Sequence, residues 1–366
     1  MRTAALVLLL LVAGCDGPRP APTPTPLAGF SAPFVFGRFE VPKDNPLTEE
    51  GVELGRRLFY DPRLSGNNQV SCGTCHVQRL AFTDGRRTSV GVSGKPLAFN
   101  SMGLANLLWG PQRFFWDGRA ASLEEQALIP IVHPDEMAQD PAQLVDELSA
   151  DAGYVARFGK AYGAISPATI ARALASFERT LVSADSRYDR FLRGELELSE
   201  EEEHGRRLFM AHPDAKVSLR GGNCVDCHSQ FLTAGFSARF DGFVNNGLDD
   251  DAHLAPGLST TTHDPAHRGL FKVPSLRNVA LTAPYMHDGR FATLEAVLAH
   301  YDGGIRNSAT LSPLIVEADN RGVDTDGHVS LHLTAPERAA IIAFLHTLTD
   351  ETFVSAERFS DPFQRP

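Results

Sequence analysis

Apolar residues along this chain recur at helical spacing rather than in alternation. Ile170, Leu174, Phe177 and Leu181 fall on one face of a helix, and Ile341, Ile342, Leu345 and Leu348 form a second such stripe. Ser199 with Glu202, and Thr334 with Glu337, have the spacing of capping boxes and mark helix starts. Between the periodic segments lie long loops rich in Gly, Pro, Asn and Asp, such as Thr83–Lys95 and Asp241–Gly257. The pattern predicts a mainly α protein with long loops.

The pattern also contains an internal echo. Gly55-Arg56-Arg57-Leu58-Phe59 recurs unchanged as Gly205-Arg206-Arg207-Leu208-Phe209, and each copy is followed by Cys-x-x-Cys-His, at Cys72–His76 and Cys224–His228. Later, Asp117-Gly118-Arg119 with Ala121-Ser122-Leu123-Glu124 matches Asp288-Gly289-Arg290 with Ala292-Thr293-Leu294-Glu295. The order is kept while the offset widens, which a tandem duplication with unequal loops explains.

The N-terminus reads differently. Arg2 precedes an apolar run, Ala4–Val12, too short to span a bilayer as a mature helix. Val12-Ala13-Gly14-Cys15 then looks like a bacterial lipoprotein signal, in which Cys15 becomes the lipidated first residue; an ordinary secretory signal with a chance Cys is the other reading. Residues 16–35, with the Pro-rich run Pro18–Pro33, read as a semi-extended tether. The expected divisions are a signal over 1–15, the tether over 16–35, domains over 36–194 and 195–350, and a tail over 351–366. The expected location is periplasmic, held to a membrane only by a lipid anchor.

Composition adds two constraints. At 366 residues there is room for two cores. A net charge of −11 without a long basic run speaks against nucleic acid and leaves a basic protein partner open. The five cysteines are Cys15 and the two pairs, so none is left for a structural disulfide.

Cys-x-x-Cys-His is the attachment motif of c-type haem. Two thiols reach the two vinyl groups of one porphyrin edge, and the adjacent His swings beneath the iron. Zinc would want four ligands from nearby pairs, whereas each pair here has its own following His. The reading is two covalent c-type haems, with His76 and His228 as proximal ligands, in two tandem cytochrome c-like helical haem domains. Long loops suit small domains wrapped around a large flat cofactor. The sixth ligand decides the role of each haem, because only an open iron binds and activates a small molecule. Aligning the second echo sets Tyr301 opposite Pro130, which has no donor; the repeat alone does not say whether this position faces iron.

From about Leu47 to Leu348 the chain resembles the bacterial di-haem cytochrome c peroxidases, within them the MauG-like branch, to which MbnH-like enzymes are related. The resemblance rests on Cys72–His76, Phe115-Trp116-Asp117-Gly118-Arg119-Ala120, Gln126, Pro130, Asp135-Glu136-Met137 and Cys224–His228. It continues through Lys272-Val273-Pro274-Ser275-Leu276-Arg277-Asn278, Thr282-Ala283-Pro284-Tyr285-Met286-His287-Asp288-Gly289 and His300-Tyr301. It implies that the first haem is open beside Pro130, with Gln126 and Glu136 in its distal pocket. It also implies that Trp116 lies between the haems and that Tyr301 closes the second iron. Splitting peroxide needs a base to move a proton between its oxygens and a polar group to hold it. Glu124 and Glu125 compete with Glu136 for the base, and Met286 and His300 compete with Tyr301. Calcium is implied at Asn100 and the carbonyls of Thr282 and Pro284, oxygen donors suited to that ion; a one-residue insertion lets Ser101 stand in place of Asn100.

Two departures from the longer-known peroxidases of the family shape the expected mechanism. Their removable distal His is replaced by Val92 in the loop Thr88–Gly94, so the first haem is expected to be open without prior reduction. Their second-haem Met is replaced by Tyr301, a hard anionic donor that lowers the reduction potential. The expected function is reaction with hydrogen peroxide at the first haem, with electrons drawn through the second from a redox partner or an oxidised substrate protein. A peroxide-detoxifying enzyme fed by a small cytochrome or copper protein is the alternative, and a non-catalytic electron carrier is a third.

Overall fold

The computed structural model describes residues 23–33, 36–109, 113–229, 242–321 and 329–364; Cys15 and the apolar run before it lie outside them. The first half contains α1 (Glu49–Tyr60), the single turn α2 (Cys72–Cys75), α3 (Leu123–Val132), α4 (Pro141–Ser149), α5 (Ala152–Ala161) and α6 (Pro167–Arg179). After α7 (Arg187–Leu192), the second half contains α8 (Glu200–Met210), the single turn α9 (Cys224–Cys227), α10 (Ser259–Thr262), α11 (Leu294–Ala299), α12 (Pro313–Val316) and α13 (Ala335–His346). Helix α14 (Glu351–Ser355) follows, and two-residue strands β1 (Phe243–Val244) and β2 (Phe271–Lys272) pair antiparallel. The fold is mainly α with long connections.

Each half is built on one crossing of helices, and the sequence echo marks it. Leu54, Leu58 and Phe59 of α1 bury against Ile170, Leu174 and Phe177 of α6. Leu208 and Phe209 of α8 bury against Ile341, Phe344 and Leu345 of α13. A Cβ on Gly55 would lie 1.9 Å from the Ala173 carbonyl, and one on Gly205 1.8 Å from the Ala340 carbonyl. Glycine lets the backbones approach that closely, which is why it stands at the same place in both copies. Both capping boxes form: the Ser199 amide donates to Glu202 Oε2 at 2.7 Å and the Thr334 amide to Glu337 Oε2 at 2.7 Å.

Three divisions differ from the sequence reading. The segment after residue 350, expected as a tail, packs into the first core through Phe353 and Phe359. Tyr60 Oη donates to the Phe359 carbonyl at 2.7 Å, and Gln78 Nε2 to that of Ala356 at 2.9 Å. Helix α7, expected in the first domain, belongs to the second core: Tyr188 packs edge-on to Phe344 at 5.1 Å, and Asp189 pairs with Arg277 at 2.6 Å in complete burial. Part of the expected tether is also pinned, since the Thr25 amide donates to Glu50 Oε2 at 2.8 Å. In each case a few large apolar or charged side chains find partners far away in sequence.

The C-terminal strap has a measurable weight. Phe353 is 1% exposed, with rings 5.4 Å from Phe82 and 5.5 Å from Phe359. Phe353→Ala is expected to lower stability by about 3–5 kcal/mol in denaturant unfolding. A loss below about 1 kcal/mol would mean that the strap only drapes over the first half.

Candidate active site

One cavity of about 720 Å³ runs between the halves and is lined from both. At one end are Cys72, Cys75 and His76, with Gln126, Pro130 and Glu136; at the other are Cys224, Cys227, His228, Met286 and Tyr301. Asn100, Trp116 and Lys272 line it as well.

The two ends are built alike on the proximal side. Each Cys-x-x-Cys forms one helical turn capped by its His, whose amide donates to the first Cys carbonyl at 2.9 Å in both copies. The four thiols are free. Burial pushes Cys75 and Cys227 up to about 11 and Cys224 up to about 12, so they are neutral thiols. His76 Nδ1 lies 2.7 Å from the Phe82 carbonyl, and His228 Nδ1 lies 3.1 Å from that of Pro274. A carbonyl there holds the proton on Nδ1 and leaves Nε2 as the ligand atom. Burial pushes His228 down to about 4 and lowers His76 likewise, which keeps both imidazoles neutral, the ligating form. Paired thiols, an oriented imidazole and an enclosed apolar wall at each end fit a c-type haem.

The opposite walls differ. Gln126 and Pro130 sit one turn apart on α3 and both face the cavity. Among the described residues Gln126 Oε1 is buried with no hydrogen-bond partner, an acceptor in need of a ligand. Glu136 lies on the same wall, and burial raises its carboxyl above the ordinary value. The loop carrying Val92 is pressed onto it: the Val92 amide donates to the Glu136 carbonyl at 2.8 Å, and a Cβ on Gly91 would lie 2.2 Å from that oxygen. The competing acids are engaged elsewhere. Glu124 pairs with both terminal nitrogens of Arg179 at 2.7 and 2.8 Å, and Glu125 accepts from the Ala121 amide at 2.7 Å.

At the far end α11 runs into a wide π turn, His300–Gly304, which carries Tyr301. Tyr301 Oη accepts from Asn246 Nδ2 at 3.1 Å, and burial pushes the phenol up to about 12. The same amide reaches Met286 Sδ at 3.4 Å. His300 Nε2 lies 3.0 Å from the Asn246 carbonyl and does not line the cavity. Asn246 carried no signal in the sequence, being one polar residue in a loop.

Between the ends, Trp116 is 7% exposed; its Nε1 donates to the Asn100 carbonyl at 2.9 Å, and its own carbonyl accepts from the Lys272 amide at 2.9 Å. Asn100, Ser101, Thr282 and Pro284 all line the cavity, and Ser101 Oγ donates to the Cys75 carbonyl at 2.8 Å. Among the described residues no group of three or more His, Cys, Asp and Glu is placed to hold a metal ion.

Glu178 on α6, which also lines the cavity, was not visible as a special residue. It is 5% exposed, its Oε2 has no hydrogen-bond partner among the described residues, and burial pushes its carboxyl up to about 8. The folded chain thus keeps this proton to about pH 8, whereas the unfolded chain releases it near 4.5. The cost is absent in acid and grows as pH rises through that window, at roughly 1.4 kcal/mol per pH unit. Glu178→Gln is expected to gain stability over the parent progressively from pH 5 to pH 8 in thermal unfolding. A difference that does not vary with pH would count against it.

A duplicated helical chain with two haem-attachment turns around one shared cavity defines a di-haem c-type cytochrome of the oxidoreductase kind. The family model of di-haem cytochrome c peroxidase matches residues 49–197. The methylamine utilization protein MauG of Methylorubrum extorquens is 38% identical over 316 residues, 85% of this chain and 81% of that protein. The cytochrome c551 peroxidase of Nitrosomonas europaea is 33% identical over 318 residues, 84% of this chain and 82% of that one. Among solved structures, a MauG-like protein associated with microbial copper homeostasis superposes with a TM-score of 0.76 at 36% identity, covering 92% of this chain and 99% of that chain. The chain belongs to the di-haem cytochrome c peroxidase family, with MauG proteins among its relatives. Two c-type haems and an oxidoreductase activity come with that membership.

Proposed function

We propose that hydrogen peroxide reacts at the haem held by Cys72, Cys75 and His76, and that the haem held by Cys224, Cys227, His228 and Tyr301 passes oxidising equivalents on. The observation that carries this reading is the asymmetry of the cavity. One end offers Pro130, a Gln126 whose Oε1 has no hydrogen-bond partner among the described residues, and a buried Glu136; the other offers a phenol already held by Asn246. The haems, once attached, supply iron and the redox chemistry. Ionised Glu136 would take a proton from one peroxide oxygen and return it to the other, and the two electrons that release the departing oxygen as water would come from the attached haem. Gln126 Oε1 accepts a hydrogen bond from the bound peroxide. Trp116, fixed at both its indole nitrogen and its carbonyl, gives an aromatic stepping stone between the two ends. A calcium ion held by Asn100 with the carbonyls of Thr282 and Pro284 would lock the wall around Trp116, since Asn100 also accepts the indole hydrogen bond.

The finer reading is a MauG-like enzyme that oxidises residues on a partner protein. Val92 in place of a latch and Tyr301 in place of Met support it, as does the similarity to a MauG-like protein associated with copper homeostasis. The enzyme acts in the periplasm, anchored through a lipid on Cys15; no helix among the described residues is long and apolar enough to cross a membrane. Mixing the ferric protein with peroxide in the presence of a reduced, basic small cytochrome tests this. Slow cytochrome oxidation beside a long-lived oxidised enzyme is the expected result. Rapid turnover would make the protein a peroxide scavenger.

A further inference from the structure

We infer that Lys272 is the counter-charge for a carboxylate of the first haem, binding a propionate at the seam where β2 meets Trp116. Lys272 is 3% exposed, yet has no ion-pair partner among the described residues. The other cations of the cavity wall are already paired: Arg119 with Asp117 at 2.9 Å and Arg277 with Asp189 at 2.6 Å. Burial alone pushes the Lys272 ammonium down to about 7, with no anion to oppose it. A buried ammonium without a partner is costly, and a chain keeps one when a ligand supplies the charge.

Position identifies the ligand. Lys272 lines the haem cavity, and its Nζ lies 5.0 Å from the centre of the Phe114 ring. Phe114 belongs to the first half and packs with Leu123 of α3, the helix that carries Gln126 and Pro130. A c-type haem is fixed by its vinyl edge, and its two carboxylates project from the opposite edge. In the first half the vinyl edge would belong to the Cys72–Cys75 turn, which would set the carboxylates away from that turn, across the cavity that Lys272 lines. With the propionate bound, the ammonium stays charged and the haem carboxylate no longer stabilises ferric iron unopposed. The same residue's amide holds the Trp116 carbonyl at 2.9 Å, so one short strand both neutralises the first haem and positions the indole.

The inference rests on both haems being attached, and haem content reports that separately. Lys272→Met and Lys272→Arg are prepared as full-length, haem-loaded proteins, with covalent haem counted by mass. Spectroelectrochemical titration of Lys272→Met is expected to show a lower midpoint potential for the first haem, an unmoved second haem, and recovery in Lys272→Arg. First-haem potentials equal in the parent and Lys272→Met, or a shift confined to the second haem, would overturn the assignment. Should Lys272→Met fail to fold, resonance Raman of the parent protein decides. A first-haem propionate-bending band at the frequency of a strongly hydrogen-bonded carboxylate supports the pair, and one at the frequency of a free carboxylate refutes it. Absence of haem from the parent would instead defeat the underlying functional reading.

Discussion

Glu136→Gln is expected to slow the reaction of the ferric protein with hydrogen peroxide by about 10²–10⁴-fold, the range that a positioned acid–base group contributes. Gln keeps the size and polarity of the side chain but cannot take a proton from one oxygen and return it to the other. The parent should also show an acid limb. Glu136 acts as a base only when ionised, and burial holds its carboxyl above the ordinary value of 4.5. The rate therefore falls as pH drops through that raised value, and the limb disappears in Glu136→Gln. Glu124→Gln is the control: it breaks the pair with Arg179 away from the cavity, so stability suffers and the rate does not. Stopped-flow mixing at several pH values reads all three outcomes. A Glu136→Gln rate close to the parent's would move the proton transfer to another group.

Tyr301→Met is expected to raise the potential of the second haem by a substantial part of the roughly 0.8 V range that axial ligation spans. A phenolate is a hard anion that favours ferric iron, whereas a thioether favours ferrous iron. Burial pushes the free phenol up to about 12, so ionisation near neutral pH requires a cation at its oxygen, which iron provides. The Asn246 amide, 3.1 Å away, adds a hydrogen bond to the resulting anion. Spectroelectrochemical titration of both haems measures the effect. An unchanged second-haem potential would remove Tyr301 as ligand and bring forward Met286, which shares the Asn246 amide.

Much of this architecture is legible because chemistry or close packing dictates particular residues. Two vinyl groups and one iron require Cys-x-x-Cys-His, and a close crossing of helices requires Gly55 and Gly205, so the duplication stands out in the sequence. Buried stripes such as Ile170, Leu174, Phe177 and Leu181 follow from helical period alone. Long-range partnership leaves no such trace. Nothing near Phe353 indicates that it fills the first core, and nothing near Tyr188 assigns α7 to the second. Nor does the sequence show that Glu124 pairs with Arg179 and that Glu125 accepts from the Ala121 amide, which favours Glu136 as the proposed base. The engagement of the His300 ring with the Asn246 carbonyl is likewise a long-range contact with no trace in the sequence. Glu178 and Lys272 are ordinary residues in a sequence; among the described residues Glu178 Oε2 has no hydrogen-bond partner and buried Lys272 no ion-pair partner, and that makes them informative.

The asymmetric cavity implies one open haem and one closed haem. Low-temperature EPR and optical spectra of the as-isolated ferric protein, before and after one equivalent of peroxide, test it most directly. A high-spin signal beside a low-spin one is expected, with the high-spin signal lost on adding peroxide and a long-lived oxidised species in its place. Two low-spin haems that do not respond to peroxide would contradict it, and would make the chain an electron carrier or an enzyme that must first be reduced.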